Sequence, residues 1–162
     1  MSDLEIGLGG RLVVVGVLGE SASATDSFLI CMRLSCRGIR AVNLGTGVTL
    51  ERAAAELSRR RDAEALLFIC DASVRSAVRQ LAGLGEMRAA GVVQCPVFVG
   101  GTGGGSWQEL RHAAARLQGF GVAQVLSDLV DAAYLLPARQ VRVPEVQAVA
   151  GHRGAGFRVR AA

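Results

Sequence analysis

From Leu12 to Leu18 every position is apolar except Gly16, and the same unbroken pattern returns at 65–70 and 97–99. Such runs suit strands buried on both faces, as in a parallel sheet, where an alternating pattern would mark a half-solvated strand. Two shorter runs, at 39–45 and 123–127, complete a set of five strands at 11–18, 39–45, 64–70, 95–101 and 123–127. Between them lie segments of helical period. The first spans 21–36, with Gly38 placed to end it. The second is "TLERAAAELSRRRD", with Thr49 as its N-cap, Glu51 early and an Arg-rich end that suits the helix dipole. The third spans 73–90, with an interruption near Gly83 and Gly85. The fourth is "WQELRHAAARLQGFG". The fifth is "DLVDAAYLLPAR", ended near Pro137. Cys95 precedes Pro96, which fits a strand start better than a strand middle. Five strands alternating with five helices predict a doubly wound α/β domain over 11–137. Residues 1–10 read as a flexible N-terminus. Residues 138–162 show no clear period and read as a tail, partly disordered or docked on a partner.

Composition adjusts this picture in three places. The chain of 162 residues is long enough for one aliphatic core, and with aromatics at 4% that core is built of Val, Leu and Ala layers. The net charge of +4 comes from basic residues spread along the chain, with Arg142, Arg153, Arg158 and Arg160 near the C-terminus. They form no RNA- or DNA-reading motif, which argues against nucleic acid as a partner. Cys31, Cys36, Cys70 and Cys95 fit no zinc spacing and are expected to be reduced, mostly buried thiols. No leader-like segment opens the sequence and no apolar run reaches membrane-spanning length, so a soluble cytoplasmic protein is expected.

In a doubly wound fold, ligands meet the carboxyl ends of the strands, where the strand order reverses. The loops expected there are 19–26, 45–49, 71–73, 100–106 and 127–131. "GGTGGGS" lacks the Lys-Ser/Thr of a phosphate loop and follows the fourth strand, so it is no dinucleotide fingerprint. It reads either as bare backbone for a ligand edge or anion, or as a turn. Ser21, Ser23 and Thr25 could hold an anion at a helix N-terminus or simply cap the helix. Asp71 could bind a cation or hydroxyl, or cap the next helix. His112 reads as a surface residue and His152 as solvated, which leaves neither a Ser-His-Asp triad nor a metal pair.

Together "VVGVLG", "GIRAVNLG", "DAEALLFIC", "VFVGG" and "SWQELRHAAARLQGFGVAQV" resemble the cobalamin-binding domain family, above all the small subunit of glutamate (methylaspartate) mutase. The resemblance runs from about Val13 to Asp131. It implies a flavodoxin-like five-stranded sheet of order 2-1-3-4-5 with helices on both faces. In that family a D-x-H-x-x-G loop after the first strand supplies the cobalt-binding imidazole. Laid on this chain, its Asp, His and Gly become Ser21, Ser23 and Asp26. The serine pair after the third strand falls at Ile69 and Cys70, beside Asp71, and the Gly closing that loop falls at Ser73. The P-G-T after the fifth strand begins at Asp128. Only the glycine pair, Gly100 and Gly101, is kept.

The family-aligned binding positions are therefore Ser21, Ser23, Asp26, Cys70, Asp71, Ser73, Gly100, Gly101 and Asp128, with no catalytic or metal-ligating residue. A hydroxyl is a poor cobalt ligand beside an imidazole, and a carboxylate at Asp26 meets a nucleotide tail that carries a phosphate. The expectation is a non-catalytic binding, accessory or regulatory subunit with no cofactor. The alternatives are a cobalamin-carrying subunit of an adenosylcobalamin-dependent mutase (an isomerase) without a histidine ligand, or a binder of another small ligand in the same crevice. The expected partner is a larger barrel-type catalytic subunit or a second copy.

Overall fold

β1 (Arg11–Leu18) is buried from Leu12 onward, because it lies inside the sheet with β2 (Ile39–Asn43) on one side and β3 (Ala63–Cys70) on the other. β4 (Val97–Gly100) and β5 (Gln124–Leu126) extend the sheet beyond β3. All pairings are parallel and the order is β2-β1-β3-β4-β5, the flavodoxin-like arrangement. The computed structural model describes residues 10–19, 24–70, 74–101 and 107–137.

The period-2 geometry of a strand sorts each apolar run into two layers. Val14, Leu18, Leu66, Phe68, Cys70, Val97, Val99 and Val125 face one way. They pack under α2 (Leu50–Arg59), α3 (Val74–Leu81), α4 (Leu84–Ala89) and α5 (Trp107–Gly119). Val13, Val15, Val17, Ala65, Leu67, Ile69, Phe98 and Leu126 face the other way. That layer is closed by α1 (Ala24–Ser35) and by a single 3-10 helix, Leu129–Tyr134.

The local signals explain the helix ends. Thr49 Oγ accepts from the Arg52 amide at 3.2 Å, the N-cap expected of it. Glu56 reaches Arg60 at 3.1 Å and Arg59 at 3.7 Å across the last turn of α2. Gly38, at φ 75°, turns the chain out of α1.

The segment expected at 73–90, with its interruption near Gly83 and Gly85, is two helices, α3 and α4, parted between Leu81 and Leu84. One helix differs from expectation. The last helix is not α-helical. Its amides bond three residues back, Asp131 to Asp128 and Leu135 to Ala132, while Arg37 donates to the Val130 carbonyl at 3.3 Å. A side chain thus holds a carbonyl that an α-helix would have given to an amide four residues on. Pro137 stops any continuation. The thiols also differ: only Cys70 is buried, Cys36 is exposed, and Cys31 and Cys95 are half-buried.

Two glycines are dictated by packing. A Cβ on Gly16 would stand 3.0 Å from Val48 Cγ1. A Cβ on Gly100 would stand 2.6 Å from the Leu126 carbonyl oxygen and 2.7 Å from Leu129 Cγ. The second contact includes backbone, which cannot swing aside. Gly100→Ala is therefore expected to cost about 3 kcal/mol through overpacking. Gly119→Ala, with nothing within 4 Å of the new methyl, should be neutral or slightly stabilising. Urea unfolding midpoints of the two variants check this, and equal midpoints would contradict it.

Candidate functional site

The carboxyl edge of the sheet is set by register. Leu18 lies beside Cys70, Ile69 beside Gly100, and Gly100 beside Leu126. The order reverses between β1 and β3, which places the carboxyl ends of β1, β3 and β4 side by side along this line. Ser21, Ser23, Asp71, Ser73 and residues 102–106 lie outside the described residues.

One end of the carboxyl edge is built by the β2–α2 connection, which is bonded onto the end of β1. The Leu44 amide donates to Val15 O at 2.8 Å, Val17 to Gly45 O at 2.9 Å, Gly47 to Gly19 O at 3.0 Å and Val48 to Val17 O at 3.0 Å. Val48 is buried against Gly16. Asn43 organises the corner. Its Oδ1 accepts from the Gly45 amide at 2.9 Å, and its Nδ2 donates to Ser27 Oγ at 3.2 Å. Ser27 in turn donates to the Ala24 carbonyl at 3.0 Å. Ser27 is the one polar side chain classed as buried among the described residues, and this relay satisfies it. It ties the first turn of α1 to the end of β2. Sequence reasoning passed over both residues; an Asn two positions before a Gly is the turn signal that marks Asn43.

The described candidates are positioned as follows. Asp26 lies half-buried in the first turn of α1, where the helix dipole favours a carboxylate. Cys70 is 2% exposed and packs into the core under α2 and α3, so its side chain does not line the edge. Gly100 and Gly101 are buried, and Gly100 is required bare by Leu126 and Leu129. The Asp128 carboxylate is engaged within the chain. It accepts from Arg33 at 2.6 and 3.1 Å and from the Val130 amide at 3.1 Å. The Arg33 hydrogen bond, with smaller help from that amide, holds its pKa below the usual carboxylate range despite partial desolvation. Arg33 is raised by the same hydrogen bond.

Nucleophile and metal chemistry find little support among the described residues. His112 is exposed on α5. Burial pushes the Cys31 thiol up to about 11 and raises Cys95 as well, which leaves both as neutral thiols near pH 7. Among the described residues no three His, Cys, Asp or Glu side chains cluster as a metal site would require. No helix among them is long and apolar enough to cross a membrane. A cleft of about 430 Å³ lies at the opposite, amino end of the sheet. It is lined by Leu57, Arg60, Arg61, Val92 and Cys95 among others, so it is separate from the crevice.

No protein-family profile matches the sequence, and no curated protein matches it at a significant level. Solved structures do share its architecture. The methanol:cobalamin methyltransferase complex MtaBC from Methanosarcina barkeri aligns with a TM-score of 0.57 and 15% identity, over 76% of this chain and 44% of that one. A cobalamin-binding protein from Desulfitobacterium hafniense DCB-2 aligns at 0.58 and 12%, over 78% and 58%. The monomethylamine corrinoid protein of Methanosarcina barkeri aligns at 0.55 and 16%, over 77% and 56%. The chain spans about half the length of these structures. It has the fold of cobalamin-binding domains.

The Arg33–Asp128 pair gives a test with a defined sign. A carboxylate whose folded pKa is depressed adds stability above its unfolded pKa and loses it as pH falls through the folded value. Asp128→Ala removes cap and ion pair together and should cost about 1 kcal/mol at pH 7. Asp128→Asn keeps an acceptor for Val130 and, with both partners partly exposed, should cost under about 0.5 kcal/mol. The parent and the Asn variant should converge in acid, below the folded pKa. Chemical denaturation across pH checks this, and a gap that persists there would contradict it.

Proposed function

We propose that this chain is a binding or accessory module on the cobalamin-domain scaffold, one whose crevice works without an axial imidazole. The observation that carries the reading is the donor set at the β1–α1 corner. At the three positions where the resembling family has Asp, His and Gly, this chain has Ser21, Ser23 and Asp26. A histidine-ligated cobalt does not fit a corner of hydroxyls and a carboxylate, since a hydroxyl binds that metal poorly next to an imidazole. His112, exposed on α5, gives no substitute. Two of the described family-aligned positions also have reasons internal to the fold: Gly100 makes room for Leu129, and Asp128 holds Arg33.

On this reading the chain carries no catalytic residue of its own and serves through what it binds. The open carboxyl edge would be covered by a partner, either a larger catalytic subunit or a second copy. One solved structure of the same fold is described as a methyltransferase complex, which supports the partner idea at the level of architecture.

A second reading is favoured by the comparisons themselves. All three structures above are described as cobalamin or corrinoid proteins, which keeps alive a carrier that holds the corrinoid by shape and hydrogen bonds alone. The two readings part in one experiment. The purified chain is titrated with hydroxocobalamin and adenosylcobalamin, followed by visible spectrum and by co-elution in gel filtration. The first reading expects no spectral change and no co-elution at micromolar protein. Stoichiometric binding would replace it with the second. Ser23→His combined with Asp26→Gly should then create the missing ligand and open its path, detected as an imidazole-type change in the cobalamin spectrum.

A further inference from the structure

The two layers of this fold are unequally covered. Four helices close one face of the sheet. Among the described residues the other has only α1 and a 3-10 helix of six residues. The shortfall appears at the surface. Of six large apolar side chains exposed among the described residues, five belong to this side: Phe28 at 58%, Leu29 at 49%, Met32 at 50%, Tyr134 at 74% and Leu135 at 42%. On α1 the spacing is regular. Ile30 and Leu34 face the core, while Phe28, Leu29 and Met32 recur at three- and four-residue intervals on the opposite side. α1 is therefore apolar on its outward face as well as its inward one, the pattern of a helix covered on both sides. Arg37 lies 4.8 Å over the Tyr134 ring and so joins the α1 stripe to the 3-10 helix.

Two observations select an occupant. The first is where the chain goes. It leaves the 3-10 helix at the edge of the patch, Leu136 is buried, and Arg11 binds the Pro137 carbonyl. From there it continues for 25 residues to Ala162. Extended, that reaches about 80 Å, against roughly 18 Å for the length of α1. The segment carries Val141, Val143, Val146, Val149, Phe157 and Val159, enough apolar side chains to cover the stripe. The second observation is size. The five side chains expose on the order of 500 Å², short of the roughly 800 Å² per partner of a stable dimer. A tethered segment meets no such threshold, because it is already held at high local concentration.

We propose that residues 138–162 fold back across the outward face of α1 and the 3-10 helix and complete the thin layer where no further α-helix follows β5 among the described residues. The segment acts as a strap on its own domain, and Phe28, Leu29, Met32 and Tyr134 are its seat.

Methionine oxidation reads this directly. Met32 lies in the seat, whereas Met87 packs against the opposite core and serves as an internal control. Peroxide oxidation followed by mass spectrometry compares the full chain with a chain ending at Pro137. The expected result is Met32 oxidised at least about fivefold more slowly in the full chain, with Met87 unchanged. Equal Met32 rates would overturn the proposal. Should the shortened chain unfold, seen as Met87 oxidising along with Met32, a second variant decides. Phe28→Ser with Met32→Ser alters only exposed positions of the full chain, and it should speed tryptic cleavage at Arg153 and Arg158 severalfold. Unchanged cleavage would overturn the proposal, as would a full-length dimer by light scattering that this variant returns to monomer.

Discussion

Burial of β1 and β3 on both faces at once is the constraint from which the rest of this molecule follows. From Val13 to Leu18, Gly16 aside, and from Ala65 to Cys70, side chains point alternately into two layers and none is more than 3% exposed. Each such aliphatic side chain contributes roughly 1.5–3 kcal/mol when it leaves water. The sheet therefore demands cover above and below, and a parallel sheet obtains it from its own crossover helices. The helices are amphipathic because they answer this demand. Glycines appear where cover comes too close for a side chain, at Gly16 under Val48 and at Gly100 against Leu126 and Leu129.

This explains what could be read from the sequence and what could not. The strands, the order of elements and the Thr49 cap depend on neighbours a few residues away or on a run of one residue type, and each stands within two or three residues of its expected place. The 3-10 helix was read as an α-helix because its sequence is helical in period; the Arg37–Val130 bond that accompanies its tighter turn spans 93 positions and has no local trace. The Arg33–Asp128 pair spans 95 positions and has no local trace either. Ser27 looks like any helical serine until Asn43 of the neighbouring strand is placed beside it. Contacts of this kind are fixed by packing rather than by local propensity, and a single sequence does not display them.

The candidate site shows the same division more sharply. Cys70 sits at the end of β3 and was a lip residue by alignment; the strand's alternation turns it into the core with Leu66 and Phe68. Gly100 falls where the resembling family has its glycine pair, yet a bare position after the fourth strand is equally what Leu129 requires. A glycine in sequence records only that something approaches closely. It does not record whether the approach comes from a ligand or from the chain's own next turn. The identity of the donors is legible in a way that their surroundings are not, which is why the functional reading stands on Ser21, Ser23 and Asp26 rather than on the glycine pair.

The core and the carboxyl edge are held together by different means. The strand interiors and the α2–α5 layer hold the large aliphatic cluster and tolerate little change. The carboxyl edge is held by small devices instead: the Asn43 relay, four backbone bonds from the β2–α2 connection, and one partly exposed ion pair. Each contributes on the order of 1 kcal/mol, far less than the core. An edge fastened this lightly can exchange its side chains without loss of the fold. On the proposed reading, that is how the fold is kept with Ser21, Ser23 and Asp26 at the β1–α1 corner, and the fold by itself does not decide what the carboxyl edge holds.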